Sequence, residues 1–332
     1  MKIQSDNLKE TIQKARPNLK DNSVKQYETH LNKLKKLFDS DNYDFLSTPE
    51  DVADKLKEKH YTSQRNSYNA IIILLMALNH DEKYNELIEK YQKIRDQLNN
   101  KYDEDQASGK LVSENQQKNI VEYEEIEKMI QTMENEIKNQ GLKKKTELTG
   151  KERELLMVYT LFSFLIRIPT RNDMSGQLLI SKSQYNKLTE EDKKNKNYLV
   201  KNKSSMFGVY NEYKTSKKYG EKKIDIPKDL EKILNLYIRK TNKKYGDPLF
   251  VSSTGNALSR NAISQLLIKT TKKYLNKSIS TTLIRKIVAS HHFGEGTEFA
   301  KLKEKQEELA NKMGHSVAVM DKVYIKDAKG DE

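Results

Sequence analysis

Five side chains in the second half of the 332-residue sequence have the types needed to handle a phosphodiester. Arg171 lies in IPTRND, Lys214 in EYKTSKKYG, Arg285 in STTLIRKIVAS, and His315 and Tyr324 in MGHSVAVMDKVYIK. Guanidinium forks bind the non-bridging oxygens of a phosphate diester and stabilise charge that grows on them. A phenol oxygen can attack the phosphorus, but its free pKa of about 10 means that it needs cations nearby. A lysine ammonium can protonate the departing 5′ oxygen. Each residue alone has a plainer reading. An arginine near a helix end caps it or is solvated, and Lys214 is one lysine among many. His315 follows a glycine at a helix boundary, and Tyr324 stands at a helical step from Met320. Taken as a set, the five outweigh those readings.

Charge points the same way. The formal net charge is +13, and residues 201–300 carry almost all of it, with 20 Lys and Arg against 8 Asp and Glu. So local an excess implies a polyanionic partner, nucleic acid first. The chain has no cysteine, hence no disulfide framework and no thiolate metal site. Its carboxylates form no cluster suited to a two-metal site, so neither metal nor cofactor is expected. The apolar stretch from Ala70 to Leu78 is far too short to span a bilayer. The opening MKIQSDNLKE lacks the apolar centre of a signal peptide. A soluble intracellular protein is expected.

The elements that must position these residues are mostly helical. Asn22-Ser23 caps a helix on which Val24, Tyr27, Leu31, Leu34 and Phe38 recur at three- and four-residue steps. Thr48-Pro49-Glu50-Asp51 opens a second, and a third starts at Thr62 or Ser63. A charged helix follows over 81–102. The length suggests two domains, and the polar stretch DEDQASGKLVSENQQKN supplies the joint. The division is a helical domain over 1–105, a linker over 106–117 and a second domain over 118–332. Helices resume at 122–137 and 151–166, and then the period changes. Leu178 to Ile180, Tyr198 to Val200, Met206 to Tyr213 and Lys222 to Ile226 read as short strands. The last two form a hairpin with TSKKYG at its tip, which makes Lys217 and Lys218 natural DNA contacts. Helices return at 229–243, 259–274, 282–290 and 298–313, with a final one carrying Tyr324. The fold class is mainly α with a small antiparallel β-sheet.

In these motifs the chain resembles the tyrosine recombinases, the integrases that break and rejoin DNA with Arg, Lys, His-x-x-Arg, Gly-His and Tyr. That family has its first arginine after an apolar helix and an acid two residues later, as Arg171 and Asp173 stand here. Its lysine sits in a Lys-Thr pair on a β-hairpin, matching Lys214-Thr215. Its Leu-Gly-His reads Met313-Gly314-His315, with Tyr324 nine residues beyond the histidine. Thr282 replaces the histidine three residues before Arg285. With IPTRND and LIRKIVAS, that departure resembles integrases of large DNA viruses, virophages and some eukaryotic transposons. The likeness covers roughly residues 150–326. It implies a helical core-binding domain and a catalytic domain closing as a C-shaped clamp on double-stranded DNA, as a dimer to tetramer. It also implies a 3′-phosphotyrosyl intermediate formed by Tyr324, with Arg171, Arg285 and His315 on the phosphate and Lys214 as general acid. Asp173 and Thr282 would support them from behind. The same chemistry serves type IB topoisomerases, and a non-catalytic DNA-binding relative is the remaining alternative.

Overall fold

The computed structural model describes residues 7–19, 21–79, 82–107, 113–294, 296–314 and 316–320, with backbone alone at 106 and 107. The chain divides into two compact units between Val112 and Ser113. Among the described residues no helix is long and apolar enough to cross a membrane.

Among its described residues the first unit holds five α-helices: α1 (Leu8–Ala15), α2 (Asp21–Leu37), α3 (Pro49–Leu56), α4 (Tyr61–Leu78) and α5 (Asn85–Ala107). On α2 the buried residues Val24, Leu31 and Leu34 share one face, as their spacing demands. At the start of α3, Pro49 fills a position with no intrahelical donor to lose, and Glu50 and Asp51 complement the helix dipole. The apolar run at the end of α4 is buried on several sides because α1, α2 and α5 all pack on this helix. Tyr91 is fully buried, and its hydroxyl donates to the Leu46 carbonyl at 2.9 Å. That bond removes the cost of enclosing a polar group.

The second unit opens with α6 (Glu114–Asn119), α7 (Tyr123–Asn139) and α8 (Gly150–Arg167). Helix α6 occupies part of the expected linker. A mixed sheet follows: β1 (Leu178–Ser181), then α9 (Lys182–Asn186) and α10 (Glu190–Lys194), β2 (Tyr198–Lys201), β3 (Met206–Tyr210), a one-turn α11 (Ser216–Tyr219) and β4 (Lys222–Asp225). The chain then forms α12 (Lys228–Lys240), α13 (Arg260–Leu275), α14 (Thr281–Phe293), α15 (Glu298–Lys312) and the short α16 (Val317–Val319). Helix α8 is the hub and packs against α7, α12, α13 and α14. Leu156, Leu161, Phe162, Phe164 and Leu165 on it are fully buried.

The sheet departs from the antiparallel expectation. Its order is β1-β2-β3-β4, with β2, β3 and β4 antiparallel in sequence but β1 parallel to β2. A parallel pair needs a crossover that carries the chain back to the same end, and α9 and α10 form it. Ser181 and Thr189 cap these helices by accepting the Gln184 and Asp192 amides. Strand alternation explains both faces. Leu179 and Leu199 join the main core, while Ile180, Tyr198, Val200 and Val209 form a smaller cluster covered by Tyr185 and Leu188 of the crossover.

Candidate active site

The turn that carries Arg171 exists because α8 must stop. A residue before proline is pushed out of the helical region, and Ile168, ahead of Pro169, adopts φ −130° and ψ 81°. The chain then folds into a 3-10 turn over Asn172–Met174, with the Asp173 amide donating to the Arg171 carbonyl at 2.7 Å. Asn172 ties this turn to two helices. Its Nδ2 donates to the Arg260 carbonyl at 2.7 Å and to Ser264 Oγ at 2.8 Å, and its Oδ1 accepts from Thr281 Oγ1 at 2.5 Å. Those contacts bring the first turns of α13 and α14 to the end of α8.

Arg171, Asn172, Arg260, Ser264, Thr282 and Arg285 line a cleft of about 230 Å³. Arg285 is half-buried, and its Nε donates to the Pro169 carbonyl at 3.0 Å. Burial, and then the neighbouring Arg171, push its pKa down from the ordinary guanidinium range, while Asp173 opposes them. Thr282 is exposed on the cleft, whereas its neighbour Thr281 is buried and holds Asn172.

Asp173 sits behind the arginines at 8% exposure. Burial raises its pKa, and Arg260, Arg171, Lys222 and Arg285, in falling order, pull it back down. Its Oδ1 is buried without a hydrogen-bond partner among the described residues, and Arg260 approaches it at 3.8 Å. Arg260 is therefore a third guanidinium at the site. The sequence carried a faint sign of it, since it directly follows the helix cap Ser259 within the basic segment.

Lys214 stands elsewhere than at a strand end. Strand β3 stops at Tyr210, short of the expected Tyr213, because a side chain captures the next two amides. Asn197 Oδ1 accepts from Asn211 N at 2.9 Å and from Glu212 N at 2.8 Å. Lys214 is exposed in the connection from β3 to β4 and does not line the arginine cleft. Tyr213 Oη closes that connection on itself by donating to the Gly220 carbonyl at 2.9 Å. Lys217 and Lys218 are exposed on α11, with Lys218 lying 5.2 Å from the ring centre of Tyr219. Lys222, at the start of β4, is the lysine whose charge acts on Asp173. Helix α15 ends at Lys312 with Met313 as its cap, and Gly314 adopts φ +71°, a left-handed conformation that suits glycine at a helix end. His315 and Tyr324 lie outside the described residues.

A larger cavity lies apart from these groups. It holds about 710 Å³, with Met157, Tyr237, Leu258 and Leu266 in its lining and none of the expected site residues.

No protein-family model and no curated protein matches the chain. Among solved structures, the Tn1549 transposon integrase in complex with transposon right end DNA is similar to it at a TM-score of 0.50 and 15% identity, covering 97% of this chain and 94% of that one. The XerH site-specific recombinase bound to difH in a pre-cleavage complex gives 0.47 and 13%, covering 97% and 80%. At such identity the first likeness is one of fold. The chain folds as the tyrosine recombinases do, mostly helical with a small mixed sheet at the site.

Proposed function

We propose that this protein is a site-specific DNA recombinase or integrase that cuts and rejoins strands through a 3′-phosphotyrosyl intermediate. The observation that carries this reading is the cleft where Arg171 and Arg285 converge. A guanidinium disfavoured first by burial and then by a second arginine beside it, as Arg285 is, makes a poor structural neighbour and a good seat for an anion. The integrase fold makes a DNA phosphate the natural anion. Arg171 and Arg285 would take the non-bridging oxygens, with His315 adding a contact. Tyr324 Oη would attack phosphorus, and Lys214 would protonate the 5′ oxygen as its bond to phosphorus breaks. A 5′-hydroxyl from another strand then attacks the same phosphorus and releases the tyrosine. Bond energy is retained in the ester, so no cofactor is required. Joining two duplexes calls for more than one copy on DNA, hence a dimer to tetramer. A place among the integrases of large DNA viruses, virophages or eukaryotic transposons rests on Thr282 together with IPTRND and LIRKIVAS.

A duplex with a nick beside the scissile bond tests this reading, because the cut end diffuses away and traps the adduct. The wild type should give a denaturation-resistant protein–DNA band, and Tyr324→Phe should bind DNA equally well and give none. An adduct from the Phe variant would refute Tyr324 as nucleophile and turn attention to Tyr219 and Tyr274. Transfer of the trapped strand to a second duplex distinguishes a recombinase from a topoisomerase. A wild type without adduct would leave a DNA-binding relative.

A further inference from the structure

We infer that Asn197 and Arg260 are positioning residues that fix the loop carrying Lys214 against the turn carrying Arg171; this rests on the proposed role of Lys214 as general acid. A general acid must reach the leaving oxygen within hydrogen-bond distance, and misplacement by about 1 Å can cost a hundredfold. Yet Lys214 is exposed, four residues beyond the last residue of β3. The ladder to β4 does not hold it, so other groups must.

Asn197 is 4% exposed, and its amide is used to capacity. Its Nδ2 donates to the Asp173 carbonyl at 2.7 Å and to the Glu212 carbonyl at 2.9 Å. Its Oδ1 accepts the amides of Asn211 and Glu212. One side chain thus grips the backbone two residues after Arg171 and two residues before Lys214. Arg260 repeats the link. Its Nη2 donates to the same Glu212 carbonyl at 3.0 Å, and a guanidinium nitrogen faces Asp173 Oδ1 at 3.8 Å. Residues 173 and 212 are therefore joined twice, by an enclosed amide and by a guanidinium that is 45% exposed.

Arg260 also lines the arginine cleft, so a direct contact to phosphate is the competing role. The two roles separate on a duplex in which sulfur replaces the bridging 5′ oxygen. Its leaving group needs no proton, so a defect that acts through Lys214 disappears on it. A defect in holding phosphate does not.

The experiment uses the full-length protein with Arg260→Ala, Arg260→Lys and Asn197→Ser. Amide hydrogen exchange without DNA should rise in residues 211–221 of Arg260→Ala and Asn197→Ser, and less in Arg260→Lys. Single-turnover cleavage of the normal nicked duplex should fall about 10- to 100-fold in Arg260→Ala, as for a misplaced catalytic group. On the sulfur substrate that rate should return to within about threefold of wild type, tracking Lys214→Ala. Exchange unchanged in 211–221 would overturn the bracket. A cleavage loss that sulfur does not restore would make Arg260 a phosphate ligand instead. Should Asn197→Ser fail to fold, the two Arg260 variants decide the matter, since that side chain is half exposed. A wild type that cleaves neither substrate would defeat the proposed function, and the exchange result would then judge the bracket alone.

Discussion

Replacing Arg285 by alanine should barely change stability and yet nearly abolish cleavage. On the stability side, the variant loses the Nε bond to the Pro169 carbonyl. A hydrogen bond from a charged donor contributes about 1.5–3 kcal/mol. Against that, the wild-type charge is half-buried and lies near Arg171, and both conditions disfavour it in the folded state. Removing the charge relieves both. The cleft is open to water, so the truncation leaves no dry cavity. The net change should stay within about 1.5 kcal/mol of zero. On the catalytic side, the guanidinium fork beyond Nε is the part that would meet phosphate. Removing a donor of this kind costs about 2.7–4 kcal/mol, or 10²- to 10³-fold in rate. Urea unfolding measures the first quantity and single-turnover cleavage of the nicked duplex the second. Sulfate adds a check without DNA. An anion seated between Arg171 and Arg285 should raise the melting temperature of the wild type more than that of the variant, and the variant corrects for the general effect of sulfate. The reasoning fails if Arg285→Ala loses more than about 3 kcal/mol of stability while cleavage falls only in proportion. It fails equally if cleavage stays within threefold of wild type.

Two other expectations follow from packing and charge. At Gly208 an added Cβ would lie 2.7 Å from Tyr210 Cε2 and 2.9 Å from its hydroxyl oxygen, on a ring that is 1% exposed. Gly208→Ala should therefore destabilise by about 1–3 kcal/mol through overpacking, read from the urea midpoint, and an unchanged midpoint would show that the ring can shift freely. With the basic excess concentrated in residues 201–300, DNA affinity should fall steeply between about 50 and 200 mM salt, through counterion release. Fluorescence anisotropy across that range would detect it, and a flat response would mean that the basic segment is only solvated surface.

What the sequence made legible was whatever rests on local rules. Proline after Ile168 stops α8, and the apolar period of α8 says which side faces the core. The expected strands at Leu178 to Ile180 and Tyr198 to Val200 lie within β1 and β2. Helix α14 runs over Thr281–Phe293 where 282–290 was expected, and α12 starts one residue before the expected 229. The departures lie where distant groups decide. Strand β3 ends early because Asn197, from the far side of a loop, takes amides that a hairpin would have paired. The direction of β1 against β2 is fixed by the crossover through α9 and α10, a stretch with almost no apolar period to announce it. At the site, Arg171, Thr282 and Arg285 share a cleft that their spacing alone could not reveal. Arg260, Asn172 and Asn197 leave little trace in the sequence because their partners are far away in it, and those of Asn197 are all backbone atoms. A side chain that binds backbone leaves no complementary residue type to find.

The same property bears on how such a site ages. Three of the four groups held by Asn197 belong to residues 211 and 212 and the fourth to 173, and all are main-chain atoms. Main-chain atoms persist through substitution. The neighbouring side chains can drift without disturbing the grip, provided that one buried amide stays in place. An anchorage built in this way places almost the whole burden of inheritance on a single codon. It offers a physical route by which a fold can persist while most of the side chains around such a loop change.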